Sequence, residues 1–136
     1  MNKSVETVKV LYAAFSRGDI PAILSRLADD VEWDAWPDNY AAKAGVGALQ
    51  PRRGKAGVAD FFKVIGQWKF NEFEVRDIMA GDRQIAAHIF VDYDVPRGGK
   101  FRDEEIHLWT FDAEGKVKSF KHFLDTAKLI AAHPKT

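Results

Sequence analysis

Apolar positions recur every three or four residues at the start of the chain and every second residue toward its end, so helices are expected first and strands later. Val5, Val8, Leu11, Tyr12 and Phe15 form one helical stripe, closed by Gly18. Asp19 can cap a second helix with Pro21 in its first turn and Ile23, Leu24 and Leu27 on its apolar side. The pair reads as a helical hairpin. Val31 to Trp36 alternates like a half-buried strand. From Pro37 to Gly54 no period holds, which predicts a long connection of the kind that often serves as a lid or binding loop. Val58, Phe61, Phe62 and Ile65 mark a third helix ending near Gly66.

After that helix the period shortens to two. Phe70–Met79, Gln84–Val95, Phe101–Phe111 and Val117–Leu124 read as strands separated by Gly81-Asp82, Pro96-Arg97-Gly98-Gly99 and Ala113-Glu114-Gly115, each a plausible hairpin turn. Successive hairpins make an antiparallel meander. A final helix starts at Thr126 behind an Asp125 cap and ends before Pro134. The order predicts an α+β domain, with helices on one face of a curved antiparallel sheet. With 136 residues, no repeat and no linker, one domain over 1–136 is expected.

Charge and composition remove several function classes. Twenty basic residues balance twenty acidic ones and no basic run exceeds Arg52-Arg53, so neither nucleic acid nor an anionic membrane is an expected partner. The absence of cysteine excludes disulfides, thiolate nucleophiles and Cys-based zinc sites. The first residues lack the apolar core of a secretion signal, and no window reaches the length of a membrane span, so a cytoplasmic location is expected.

The chemistry concentrates in the last two strands. Strand alternation puts His107 on one face with Glu105, Trp109 and Phe111, and His122 on one face with Phe120 and Leu124. Two imidazoles, which exchange protons near neutral pH, would thus enter one apolar cavity. His107 is the first candidate and His122 the second; the plain alternative for each is a core histidine satisfied by a carbonyl or carboxylate. Asp34 and Asp30 are the carboxylate candidates; Asp30 reads as part of the turn after the second helix, and parity turns Asp34 away from Trp33 unless a bulge intervenes. Glu105 can orient or charge His107 from the same strand face, but side chains two apart on a strand are rooted about 6.5 to 7 Å from each other, so exposure at the cavity mouth is the expected reading. Trp33 and Trp109 are the aromatics expected to line the cavity, with Trp36, Tyr93 and Phe120 as further wall candidates; any of them can equally be core. The four histidines show no metal-ligand spacing, Glu105-x-His107 alone is a weak match, and Gly45-x-Gly47 lacks the strand and helix of a phosphate loop. No metal or organic cofactor is expected.

Six segments in fixed order carry a resemblance: Leu11-Tyr-Ala-Ala-Phe15 with Gly18-Asp19, Leu27 to Trp33, Gly54 before Phe61-Phe62, Ala80-Gly-Asp82, His107 to Phe111 with Gly115-Lys116, and Phe123 to Ala127. Together they resemble the SnoaL-like, ketosteroid-isomerase-related proteins of the nuclear transport factor 2-like superfamily. The resemblance implies a cone-shaped α+β barrel with a deep apolar pocket, often homodimeric and usually free of metal and cofactor. It leaves the activity open, since one fold hosts many reactions. The isomerase's general-base aspartate falls at Ala35 here, beside Asp34, and its second aspartate at His107. Its tyrosine falls at Leu11, with the candidate Tyr12 adjacent but turned by about 100° on the helix. These departures argue against ketosteroid isomerisation by that mechanism.

The reading that follows is binding of a small hydrophobic molecule, with cofactor-independent acid/base chemistry on a ring-containing carbonyl compound as its enzymatic version. In that version His107 acts on the carbonyl and His122 assists. The rival reading is a non-catalytic ligand-binding or dimeric scaffold protein. A homodimer is expected from the apolar residues Ile106, Leu108 and Phe123 on the outer sheet face.

Overall fold

Helix α1 (Lys3–Ser16) begins where Asn2 accepts hydrogen bonds from the amides of Ser4 and Val5, and it buries Val8, Leu11 and Ala14. Short helix α2 (Ile20–Leu24) is capped by Asp19, with Pro21 in its first turn. These positions come from a computed structural model that describes residues 2–36 and 38–134. Pro37, the expected start of the connection, lies outside them.

Strand β1 (Leu27–Trp33) starts four residues before its expected position and stops three residues short of Trp36. Leu27, read from the sequence as part of the second helical stripe, is the first residue of the strand. The connection then holds α3 (Tyr40–Lys43), a single 3-10 turn at Gly47–Leu49 and the two-residue strand β2 (Arg52–Arg53). Helix α4 (Gly54–Ile65) buries Val58, Phe61 and Ile65 and ends at Gly66. Strands β3 (Lys69–Ala80), β4 (Gln84–Asp94), β5 (Lys100–Phe111) and β6 (Val117–Phe123) follow, and α5 (Thr126–Ala132) starts behind its Asp125 cap.

The six strands form one curved, unclosed sheet in the order β2-β1-β6-β5-β4-β3. β3 to β6 are the expected antiparallel meander. β1 joins its far edge by parallel pairing with β6. That long-range pairing makes β6 an interior strand, and its inner side chains meet neighbours on both sides. Trp33 of β1 and Trp109 of β5 both pair with Phe120 of β6, while His107 and His122 are direct cross-strand partners one step further along. Helices α1 and α4 cover the concave face, α1 against β3 and β4 and α4 against β1. Among the described residues no helix is long and apolar enough to cross a membrane.

Candidate functional site

The parallel β1–β6 pairing and the antiparallel β5–β6 pairing set a row of aromatic rings across the sheet. Phe120 is central: its ring lies 4.1 Å from that of Trp33, 4.5 Å from Trp109, 4.6 Å from His122 and 5.2 Å from His107, centre to centre. Beside this row is a cavity of about 70 Å3. Leu11 and Tyr12 of α1, Phe61 and Phe62 of α4, and the inner residues of the sheet enclose it. Trp33, Tyr93, Glu105, His107, Trp109, Phe120 and His122 all line it. Trp36 does not. It packs on Phe123 at 4.7 Å and walls a separate hollow of about 190 Å3, which shares His122 and Leu124 with the first as lining residues.

Asp34 departs furthest from the strand reading. It follows the last residue of β1 with φ of 54°, a left-handed backbone that aspartate tolerates better than most residues. This turn, rather than a bulge, swings the side chain back under the sheet, where Asp34 is completely buried. Its own amide still donates to the Phe120 carbonyl at 2.8 Å. One carboxylate oxygen accepts the His122 amide and the other the His122 ring Nδ1–H, both at 2.8 Å. With Nδ1 committed, Nε2 is the remaining nitrogen of His122. It has no hydrogen-bond partner among the described residues.

Beside this pair, on the neighbouring strand, a second set is closed on itself. Glu105 is 4% exposed, not at an exposed mouth, because β5 lies between β4 and β6 and turns its odd-numbered residues inward. Its carboxylate takes the Nε2–H of His107 at 2.9 Å. A carboxylate only accepts, so the neutral His107 ring carries its proton on Nε2 and accepts at Nδ1 from the Tyr12 hydroxyl, 2.7 Å away. That hydroxyl in turn accepts from Trp109 Nε1–H at 3.0 Å. Tyr12 therefore reaches the site despite its offset from the position the resemblance gave to Leu11, and both residues line the cavity. The two imidazoles stand edge to face, 4.9 Å apart.

Burial and charge drive the two histidines apart. Desolvation holds the His107 pKa below the ordinary value, with the nearby His122 adding to the effect against the pull of Glu105. Burial also opposes charge on His122, but the Asp34 charge and hydrogen bond, with Glu105 behind them, overcome it and raise its pKa. Burial pushes the Tyr12 and Tyr93 phenols well up, so both are neutral donors. The Trp33 indole N–H is buried in the cavity wall with no acceptor among the described residues.

Removing the Tyr12 hydroxyl leaves Trp109 Nε1–H and His107 Nδ1 without partners together. Tyr12→Phe is expected to cost about 1–3 kcal/mol, the range for an unsatisfied buried group, measured by chemical denaturation. A change under about 0.3 kcal/mol would mean that water replaces the hydroxyl.

Residues 8–120 match the SnoaL-like domain family. Over 97% of this chain and 98% of its own, an NTF2-like protein of unknown function from Burkholderia pseudomallei superposes with a TM-score of 0.79 at 25% identity. TerC, crystallised with polyporic acid, shares 24% identity over 96% of this chain and 98% of its own, with a TM-score of 0.76. A putative polyketide cyclase from Xanthomonas campestris shares 18% identity over 95% of each chain, with a TM-score of 0.70. No match is found among curated proteins.

Proposed function

This chain belongs to the SnoaL-like domain family, and within that fold we propose that it binds a small, largely apolar carbonyl compound and moves a proton at the carbon beside the carbonyl, without a cofactor. The observation that supports this reading is the Asp34–His122 pair, which presents one unpartnered imidazole nitrogen in an aromatic cavity. Asp34 fixes the tautomer and stabilises the imidazolium formed when Nε2 takes a proton. The unpartnered Trp33 N–H is a donor suited to the oxygen on which negative charge then develops. Return of the proton to a different carbon is an isomerisation; attack of the enolate carbon on a second carbonyl of the same molecule is a cyclisation.

This reading exchanges the roles expected from the sequence. His107 has both nitrogens engaged and positions the wall together with Tyr12 and Glu105, whereas His122 is the base. The cavity of about 70 Å3 is well below the roughly 300 to 1,000 Å3 of typical ligand sites. It suits the reacting carbonyl and its neighbouring carbons. In this reading the rest of a ring-sized ligand extends past His122, which lines both spaces, into the hollow beside Trp36 and Phe123.

Incubation with ketones, enones and β-diketones in D2O tests the proposal by a simple readout, deuterium appearing at the α-carbon. Exchange above the protein-free rate is expected for at least one compound. Ligands that bind throughout the panel with no exchange would favour the non-catalytic binding protein.

The same reading includes a homodimer formed on the outer sheet face. Phe123 is 40% exposed there, while Ile106 and Leu108 are only half-buried. Light scattering at micromolar concentration is expected to give twice the mass of one chain; the mass of a single chain would remove the dimer.

A further inference from the structure

We infer that Glu105, His107 and His122 form a binding site for one divalent transition-metal ion. One ligand atom from each lies within 4.8 Å of the other two, and the Glu105–His107 contact is already 2.9 Å. A tetrahedral ion with bonds of about 2.0–2.1 Å needs its ligand atoms roughly 3.3 Å apart, so small side-chain rotations close the set. The donors are two imidazoles and one carboxylate on the rigid, paired strands β5 and β6, in the combination that favours zinc, cobalt or iron(II) over magnesium or calcium. Three protein ligands leave the remaining positions of the ion open toward the cavity.

The surroundings are those a metal site requires. Histidine ligands are held by a partner on the ring nitrogen that does not bind the ion. For His122 that partner is Asp34 on Nδ1, and for His107 it is the Tyr12 hydroxyl on Nδ1. Both Nε2 atoms are thereby directed to the ion. Binding moves the His107 proton from Nε2 to Nδ1, where it is donated to Tyr12. The Tyr12 oxygen has two lone pairs, accepts from both His107 and Trp109, and frees its own hydrogen for a cavity ligand. An ion on His122 Nε2 occupies the nitrogen that the proposed base needs, so a bound ion is expected to stop metal-free proton exchange. The two readings are nevertheless measured separately.

Chelator-treated protein is titrated with Co2+ by visible absorption and with Zn2+ by calorimetry. One ion per chain is expected, with affinity falling at least about 100-fold in Glu105→Gln and in His122→Gln, about 10- to 100-fold in Asp34→Asn, and unchanged in His88→Gln. His88 is the control because it pairs with Glu104, outside the cavity. Should the site variants unfold, the His88→Gln/His133→Gln protein keeps only His107 and His122, and paramagnetic Co2+ must then shift the ring protons of both. Absence of binding, loss of binding with His88, unchanged affinity in the site variants, or unshifted His107 and His122 protons would each overturn the site.

Discussion

His122→Gln is expected to slow α-deuteration by about 10² to 10⁴, the usual contribution of a general base. Glutamine keeps a side chain of similar length and can still hydrogen-bond to Asp34, but it cannot take a proton. Asp34→Asn should do nearly as much harm by a different route. The amide N–H donates to His122 Nδ1, which moves the ring proton to Nε2 and leaves the cavity-facing nitrogen unable to accept; such tautomer inversion costs about 10⁴ in a serine-protease triad. Asparagine also tolerates the left-handed backbone at this position, so the fold should survive. His107→Gln should cost less, because that ring is engaged on both nitrogens. The contrary result, large loss at His107 with near-full exchange in His122→Gln, would restore the assignment that strand parity alone suggested.

The late strands were legible because strict alternation and glycine-rich turns act locally. The observed limits of β3 to β6 fall within a residue of the apolar pattern, as does the capped start of α5. β1 was harder to place. Its partners are β2 and the distant β6, and nothing near Leu27 in the chain announces a parallel pairing ninety residues away. The short elements of the connection, α3, the 3-10 turn and β2, are each under five residues, too brief for a period to emerge.

The same division applies to the site. His107, Trp109, Phe120 and His122 sit inward on regular strands, where parity places them. Asp34 was legible as a candidate but not in its direction, since one residue at positive φ reverses what alternation predicts and the sequence bears no glycine there to signal it. Strand parity puts Glu105 on the face of His107, but the spacing of residues two apart on a strand favours the mouth; the side chains close that gap to 2.9 Å, and the bond to His107 offsets the cost of burying the carboxylate. Tyr12 reaches His107 from a helix 95 residues earlier. A contact of that kind depends on how α1 lies across the sheet.

Phe120→Ala should be the most destabilising of the single changes considered. The ring is 2% exposed, and it packs against Trp33, Trp109, His107 and His122 together. Truncating a buried phenylalanine typically costs about 3–5 kcal/mol through lost burial and the cavity left behind, against a total stability of about 5–15 kcal/mol for a domain. Collapse into the gap is restricted because Trp33 and Trp109, its strand partners, are fixed by backbone pairing on either side. The new space adjoins the existing cavity, so a small aromatic such as benzene should bind the variant more tightly than the native protein and recover part of the loss. Denaturant unfolding with and without benzene measures both effects. A loss below about 1 kcal/mol with no benzene response would show that the aromatic row closes over the gap, and that the cavity wall is set by the other rings.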